Sequence, residues 1–439
     1  MADSASAGRA QPEGSVICVV GLGYVGVPVA LAFDRAGFEV VGYDVDPETV
    51  ETLASGADPT GESGDRAVAA SETEYTADPV EIERADYVVI AVPTAVDDLG
   101  RPDLDYVVSA GETVGEHLSE GATVVLESTV YPGVTREILG PTIEEHSGLE
   151  LGDGFDLGHS PERLSPGDGG MELSEAVKIV SGSDEETLAD LAALYETVVD
   201  AGVHRAPSIE VAEAAKLVEN VQRDLNIAFV NELAMICDRL ELDTEAVLDA
   251  AGSKWNFHDY SPGLVGGHCI PVDPLYLAHR AEMAGYQPEL VRAGRQVNER
   301  LPRHVADRTV KALNEQGKVL RESAVLVLGL AYKPNVGDVR HPAIETLLAR
   351  LREFGVRVVG HDPLADADEI RNSFEIEVQP EFDPSGFDGI VLATPHDVFL
   401  PLNPESLIDR LASDPVLVDV HGAVDERRSR EAGFAYHRL

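Results

Sequence analysis

A short run, Val16 to Val20, leading into Gly21-Leu22-Gly23-Tyr24-Val25-Gly26 constrains the fold of this 439-residue chain more than any other feature. The run is β-rich, the turn after it carries three glycines, and apolar residues from Val27 to Ala36 continue at helical spacing. A second β-rich run, Glu39 to Tyr43, ends at Asp44, eighteen positions after Gly26. Strand, glycine turn, helix, strand and acid in this order describe a parallel unit that holds a dinucleotide. The turn approaches the pyrophosphate and the acid hydrogen-bonds the ribose. Gly21, Gly23, Tyr24, Val25, Gly26 and Asp44 are therefore expected to bind the cofactor. A carboxylate at this strand end repels a 2′-phosphate, which favours NAD over NADP.

Further β-rich runs lie at Tyr87 to Val92, Thr123 to Glu127 and Lys178 to Ser181. Ligands of open parallel sheets bind beyond the carboxyl ends of strands. Pro93, Thr94 and Thr129, which follow the first two runs, are thus expected along the cofactor and substrate cleft. From Ser208 to Leu240 the pattern is helical without glycine or proline, and Lys216, Asn220 and Asp224 fall on one face at intervals of four. Such a helix reaches about 45 Å, enough to link two domains and pack against a second copy. A third region begins near Lys318. The run Ala324 to Leu328 enters Gly329-Leu330-Ala331-Tyr332-Lys333, and Val356 to His361 closes on Asp362. This repeats the first region without its full glycine fingerprint and suggests a second site for a different nucleotide. The expected architecture is α/β, with two Rossmann-like doubly wound domains joined by a central helical domain containing one long helix. The expected boundaries are a tail at 1–15, an NAD-binding domain at 16–206, a helical domain at 207–305 and a second nucleotide domain at 318–439.

The formal charge is −46, from 79 acidic against 33 basic residues. A surface this acidic repels nucleic acid and anionic membranes. It suits molar salt, where the Debye length falls to about 3 Å. No apolar run reaches the roughly 18 residues of a membrane span. The opening residues lack the apolar centre of a signal peptide, so the cytoplasm is the expected compartment. Three irregularly spaced cysteines predict neither a disulfide framework nor a metal site. Cys18 and Cys237 lie in apolar runs and read as core thiols. Cys269 differs, because it sits in Gly263-Leu264-Val265-Gly266-Gly267-His268-Cys269-Ile270-Pro271-Val272-Asp273-Pro274. A thiol able to form a covalent adduct, in a chain that binds NAD, points to oxidation of an alcohol to an acid through a thiohemiacetal and a thioester. His268 reads as shaping the pocket rather than as a base.

The separated segments Gly21-x-Gly23-x-x-Gly26, Val92-Pro93-Thr94, Glu127-Ser128-Thr129-Val130-Tyr131-Pro132-Gly133, Ser160-Pro161-Glu162-Arg163, Ala215 to Asn220, Gly266 to Cys269 with Asp273, and Gly329 to Lys333 together resemble the UDP-glucose/GDP-mannose dehydrogenase family. The resemblance covers residues 15 to 425. It implies that Cys269 is the nucleophile with Asp273 beside it, and that Lys216 and Asn220 hold the oxyanion at the sugar C6. It further implies that Thr129 positions a water and that Glu162 serves substrate binding and thioester hydrolysis. Substrate contacts are implied for Arg163, Tyr260, Gly266, Gly267 and Lys333, and a cofactor contact for Arg340. Val272 stands where glucose-specific members carry lysine, and Pro166 where they carry a second glutamate. These departures resemble the branch acting on UDP-N-acetylhexosamines, with UDP-N-acetyl-D-mannosamine the favoured substrate, a homodimer or higher homo-oligomer the expected assembly, and polysaccharide biosynthesis the expected setting. UDP-glucose oxidation, a two-electron hydroxyacid-type dehydrogenase and a non-catalytic nucleotide sensor are the alternatives.

Overall fold

The computed structural model describes residues 14–97, 99–163, 173–267 and 269–439. Most of the expected tail, as well as Pro166 and His268, lies outside the described residues. The chain forms two compact units. One comprises the described part of Met1–Glu219 with Leu275–Tyr286, the other Asn220–Pro274 with Gln287–Leu439.

The first unit is built on an eight-stranded sheet. Its strands are β1 (Val16–Val20), β2 (Glu39–Tyr43), β3 (Glu74–Thr76), β4 (Tyr87–Ile90), β7 (Thr123–Leu126), β8 (Asp156–His159), β9 (Lys178–Gly182) and β10 (Val203–Arg205), with β5 (Ala95–Val96) and β6 (Pro102–Asp103) forming a separate ribbon. The order is β10-β9-β8-β7-β4-β1-β2-β3, parallel throughout except for β8 against β9. Strand order therefore reverses between β1 and β4, and ligands of doubly wound sheets bind at that crevice. The central strands are buried along most of their length, as strands covered on both faces must be. Cys18 lies within β1, paired to Val41 and Val88, and burial pushes its thiol up to about 12. It is an inert core residue.

The second unit repeats the plan with six parallel strands: β11 (Ala324–Leu328), β12 (Arg357–His361), β13 (Glu377–Val378), β14 (Gly389–Leu392), β15 (Val416–Asp419) and β16 (Ala435–Arg438). Their order, β13-β12-β11-β14-β15-β16, reverses between β11 and β14. The helices Glu289–Glu315 and Pro342–Glu353 pack apolar faces, including Leu301, Val305, Ile344 and Leu348, into one core with Val325 and Val391 of the sheet. Ile209–Leu240 is a single helix of 32 residues, about 48 Å long. Its residues through Glu219 belong to the first unit and the rest to the second. Both nucleotide-type folds are Rossmann-like, and the region between them in sequence is helical. Among the described residues no helix is long and apolar enough to cross a membrane.

Candidate active site

In the first unit the glycine turn is braced by the acid predicted to follow it. Leu22 N–H donates to Asp44 Oδ2 at 2.7 Å, and Asp46 N–H donates to Oδ1 at 2.9 Å. Each carboxylate oxygen keeps a further lone pair, so the half-buried Asp44 both sets the turn and remains able to accept from a ribose. A Cβ on Gly26 would stand 1.8 Å from the Gly21 carbonyl oxygen, so only glycine lets the helix Gly26–Arg35 start this close to the turn. No side chain caps that helix, which leaves first-turn N–H groups for an anion such as a pyrophosphate. Gly23 and Val25 are half-buried and Tyr24 is exposed. The turn lies against the end of β4, since a Cβ on Gly21 would meet the Ala91 oxygen at 3.0 Å. Pro93 and Thr94 follow that strand. These residues fit NAD.

Beyond β7 and β8 the structure assembles a group of ionisable side chains that pattern alone does not disclose. Lys178 Nζ is 2.7 Å from Glu127 Oε2 and 3.4 Å from Glu162 Oε2, and Tyr195 donates its hydroxyl to Glu127 Oε1 at 2.6 Å. Glu162 Oε1 also accepts the Arg163 N–H at 2.7 Å. Lys178, Glu127 and Tyr195 are out of solvent contact, and Glu162 is buried. Burial pushes the Glu127 carboxyl up against the pull of the ammonium, whereas the two carboxylates keep Lys178 protonated in spite of its burial. His159, at the end of β8, is held neutral, down to about 3, by burial and the nearby ammonium. Thr129 is half-buried just past β7. The Arg163 guanidinium is engaged by Glu219, with Nη2 2.6 Å from Oε1, and by the Val177 carbonyl.

In the second unit Asn220 donates its amide to Asp273 Oδ2 at 2.6 Å, both side chains being buried. Asp273 opens the helix Asp273–Met283, and its N–H donates to the Cys269 carbonyl at 2.9 Å. The nucleophile expected from sequence is therefore tied by its own backbone to the aspartate expected beside it, and through that aspartate to the long helix. Lys216, one turn before Asn220 on the same helix and in the part that belongs to the first unit, is buried. Cys269 is half-buried. Gly267, at φ +78°, donates its N–H to the Arg340 carbonyl at 3.1 Å. A Cβ on Gly266 would fall 2.2 Å from His341 Nδ1, so the loop packs directly on that buried imidazole. The Arg340 guanidinium meets both oxygens of Asp338, at 2.9 and 3.0 Å from Nε. Tyr260 accepts from Gln222 Nε2 at 3.3 Å, and Lys333 is half-buried.

Asp362, the second sheet's counterpart of Asp44, behaves differently. Its Oδ2 accepts from Leu330 N–H, Ala331 N–H and His396 Nε2 at 2.7, 3.0 and 3.0 Å, and Oδ1 accepts from Leu364 N–H at 3.0 Å. Burial raises its pKa, but the His396 contact and these donors outweigh it and hold the carboxyl down to about 2. A carboxylate so fully engaged is not available to a ribose, and the nucleotide of this unit must be held by other groups.

Sequence reading did not single out Lys178, Tyr195 or Asn231. Lysine scarcity was the available signal for the first, because one of only six lysines standing in a buried strand requires anionic partners. The spacing puts Asp224 on the helix face of Lys216 and Asn220, and the helix Ile209–Leu240 contains all three. That face is buried, however, and Asp224 bonds Asn298 at 2.7 Å.

Three domains of the UDP-glucose/GDP-mannose dehydrogenase family match the chain: the NAD binding domain over residues 15–199, the central domain over 210–300 and the UDP binding domain over 326–426. A UDP-N-acetyl-D-glucosamine 6-dehydrogenase from Pseudomonas aeruginosa is 40% identical over 414 residues, covering 94% of this chain and 98% of the relative. A UDP-N-acetyl-D-mannosamine dehydrogenase from Pyrococcus horikoshii is 32% identical over 419 residues, covering 93% and 96%. A solved structure of a UDP-D-ManNAc dehydrogenase from Pyrococcus horikoshii superposes with a TM-score of 0.87 at 30% identity, covering 97% of this chain and 99% of that one.

Proposed function

The chain belongs to the UDP-glucose/GDP-mannose dehydrogenase family and is an NAD-dependent nucleotide-sugar dehydrogenase, and from that premise we propose that it oxidises C6 of a UDP-N-acetylhexosamine to the uronate through a thioester on Cys269. The observation carrying this reading is the chain of contacts from Asn220 through Asp273 to the Cys269 backbone. A hydroxyacid-type dehydrogenase has no use for a thiol held in this way.

NAD supplies the acceptor for a hydride in each of two oxidations. In the first, the C6 alcohol loses a hydride from carbon and a proton from oxygen, the latter to a water held by Thr129. The Cys269 thiolate then adds to the aldehyde carbon, forming the C–S bond of a thiohemiacetal. The second oxidation removes the remaining hydride and the hydroxyl proton to leave a thioester. Water, activated by Glu162, breaks the C–S bond and releases carboxylate and thiol. The oxygen on C6 is negative or becoming so at each stage, and Lys216 and Asn220, one turn apart on one helix, provide an ammonium and an amide N–H to stabilise it. An amide nitrogen has two N–H bonds, and the Asp273 contact orients one of them while accounting for only that one.

Val272 in place of lysine supports an acetamido sugar over UDP-glucose. The sequence reading favoured the manno epimer. The relatives described above carry both names, the gluco-named protein 40% identical and the manno-named one 32%, which supports keeping UDP-N-acetyl-D-glucosamine beside the manno epimer as a candidate substrate. The decisive experiment measures NADH formed per sugar, and kcat/KM, for both epimers and UDP-glucose in molar KCl. Two NADH per acetamido sugar supports the assignment. One NADH, or a preference for UDP-glucose, overturns it.

Val211, Val218, Phe229, Ile236 and Leu240 are exposed at intervals of 7, 11, 7 and 4 along the long helix and form one apolar stripe. That stripe suits a second copy of the same helix, and a homodimer accounts for it. Light scattering coupled to size exclusion, on the parent and on Phe229→Glu, tests this assembly.

A further inference from the structure

We propose that Asn231 is a positioning residue for the nucleophile, gripping the cysteine loop at the end opposite to Asp273. This rests on the thioester reading above and extends it to a residue with no assigned role. Asn231 Nδ2 donates to the Gly263 carbonyl at 3.1 Å, and Gly263 N–H donates to Asn231 Oδ1 at 2.9 Å. The amide thus satisfies both polar atoms of one peptide residue, much as a neighbouring strand would, and it is fully buried.

Asn220 and Asn231 are eleven residues apart on one helix. Eleven residues make just over three full turns and return to the same face within about 20°. Two asparagines on that face therefore hold the two ends of the segment Gly263 to Asp273, Asn231 at its start and Asn220 at its finish. Cys269 lies between the two anchors. A loop fixed at one end only would swing about the Asp273 contact. Fixing the second end converts the helix into a ruler that sets where the thiol stands.

The Asn231 amide is itself held in orientation. Its Nδ2 also donates to Asn298 Oδ1 at 2.8 Å, and Asn298 Nδ2 donates to Asp224 Oδ1 at 2.7 Å and to the Asp224 carbonyl at 3.0 Å. Arg295 Nη1 closes the series on Asp224 Oδ1 at 2.5 Å. Every side chain in this series is buried. On its other side Gly263 meets His421, since a Cβ there would stand 2.6 Å from Cε1. The start of the loop is therefore wedged between an oriented amide and an imidazole.

The test compares full-length parent, Asn231→Leu and Asn298→Ala by the rate of iodoacetamide alkylation of Cys269 as a function of pH, with the site identified by mass spectrometry. Cys18 and Cys237 are buried and serve as internal controls. A displacement of the order of 1 Å costs about 100-fold in a positioned reaction. Asn231→Leu is expected to lower kcat for uronate formation by about that factor, to leave KM for NAD unchanged, and to alter the Cys269 alkylation profile while Cys18 and Cys237 stay protected. Asn298→Ala, which releases the orienting contact along with the bonds to Asp224 but leaves the Asn231 grip on Gly263 in place, is expected to act in the same direction more weakly, and it decides the matter should Asn231→Leu not fold. Parental alkylation and parental kcat in a folded variant overturn the proposal. Alkylation needs no sugar, so a parent that forms no uronate refutes the thioester reading while the labelling comparison still judges the anchor.

Discussion

Lys178 sets its ammonium 2.7 Å from the Glu127 carboxylate, and neither side chain touches solvent. With Glu162 also in reach at 3.4 Å, the ammonium is the cation that faces both carboxyl groups. Lys178→Met removes it and leaves buried negative charge uncompensated, which typically costs about 3–5 kcal/mol. Chemical denaturation at fixed KCl is expected to show that loss. Adding Glu127→Gln to Lys178→Met should recover part of it. Because a carboxyl without its cation binds a proton more readily, any residual activity of Lys178→Met should need higher pH than the parent. An unchanged profile would mean that activity does not depend on the charge of Glu127.

Glu213 gives a separate handle on pH. Its carboxylate accepts the N–H groups of Gly133 and Thr135, with Oε1 2.9 Å from the latter, and burial pushes it up to about 7 against the pull of these donors. A folded pKa above the unfolded one favours folding most below about pH 4.3, and that advantage is lost as pH rises through about 7. The shift corresponds to about 3 kcal/mol across this window. Glu213→Gln should therefore remove a decline in melting temperature between pH 4.5 and 7 that the parent shows. Equal slopes for parent and variant would dissociate Glu213 from the pH response.

Much of this was legible in the chain because the dictating signals are local. Val16–Val20, three glycines and Asp44 lie within thirty residues and specify strand, turn, helix and acid. β8 was not legible, since Asp156-Leu157-Gly158-His159 lacks the β-branched run of its neighbours and is a strand only because β7 and β9 flank it. Lys178 with Glu127 and Asn231 with Gly263 are separated by 51 and 32 residues, and no periodicity announces such pairs. Asp362 shows the opposite hazard. It follows the second strand of its sheet as Asp44 does in the first unit, and folding commits it to His396 and backbone donors.

Asp44 should discriminate between cofactors by charge. Asp44→Asn keeps an oxygen acceptor for the Leu22 N–H while removing the repulsion toward a 2′-phosphate. Losing a hydrogen bond to a charged group costs about 1.5–3 kcal/mol. KM for NAD is thus expected to rise about tenfold or more, with NADP becoming a measurable substrate. If the variant still ignores NADP and uses NAD as before, the ribose assignment fails.

The charge of −46 predicts dependence on salt. Many acidic residues stand exposed among few basic ones, and screening of their repulsion strengthens as the Debye length shrinks toward about 3 Å in molar salt. The melting temperature should climb steadily from dilute buffer into molar KCl, with activity following. A flat response would show that the acidic surface carries no cost at low ionic strength.

Cys269→Ser separates the four-electron reaction from its alternatives. A hydroxyl is a far weaker nucleophile than a thiolate at neutral pH and leaves no thioester to hydrolyse. The glycine turn and Asp44 lie in the other unit and are untouched, so NAD affinity should match the parent's by calorimetry. Uronate formation should fall by several orders of magnitude, with at most one NADH per sugar and the aldehyde detectable by a carbonyl-trapping hydrazine. A two-electron hydroxyacid-type dehydrogenase predicts instead that the variant turns over normally, because its mechanism never engages a thiol. A nucleotide sensor predicts no NADH from either protein. Undiminished uronate from Cys269→Ser is the outcome that removes the thioester from the mechanism, and with it the reason for fastening this loop to Asn220 and Asn231.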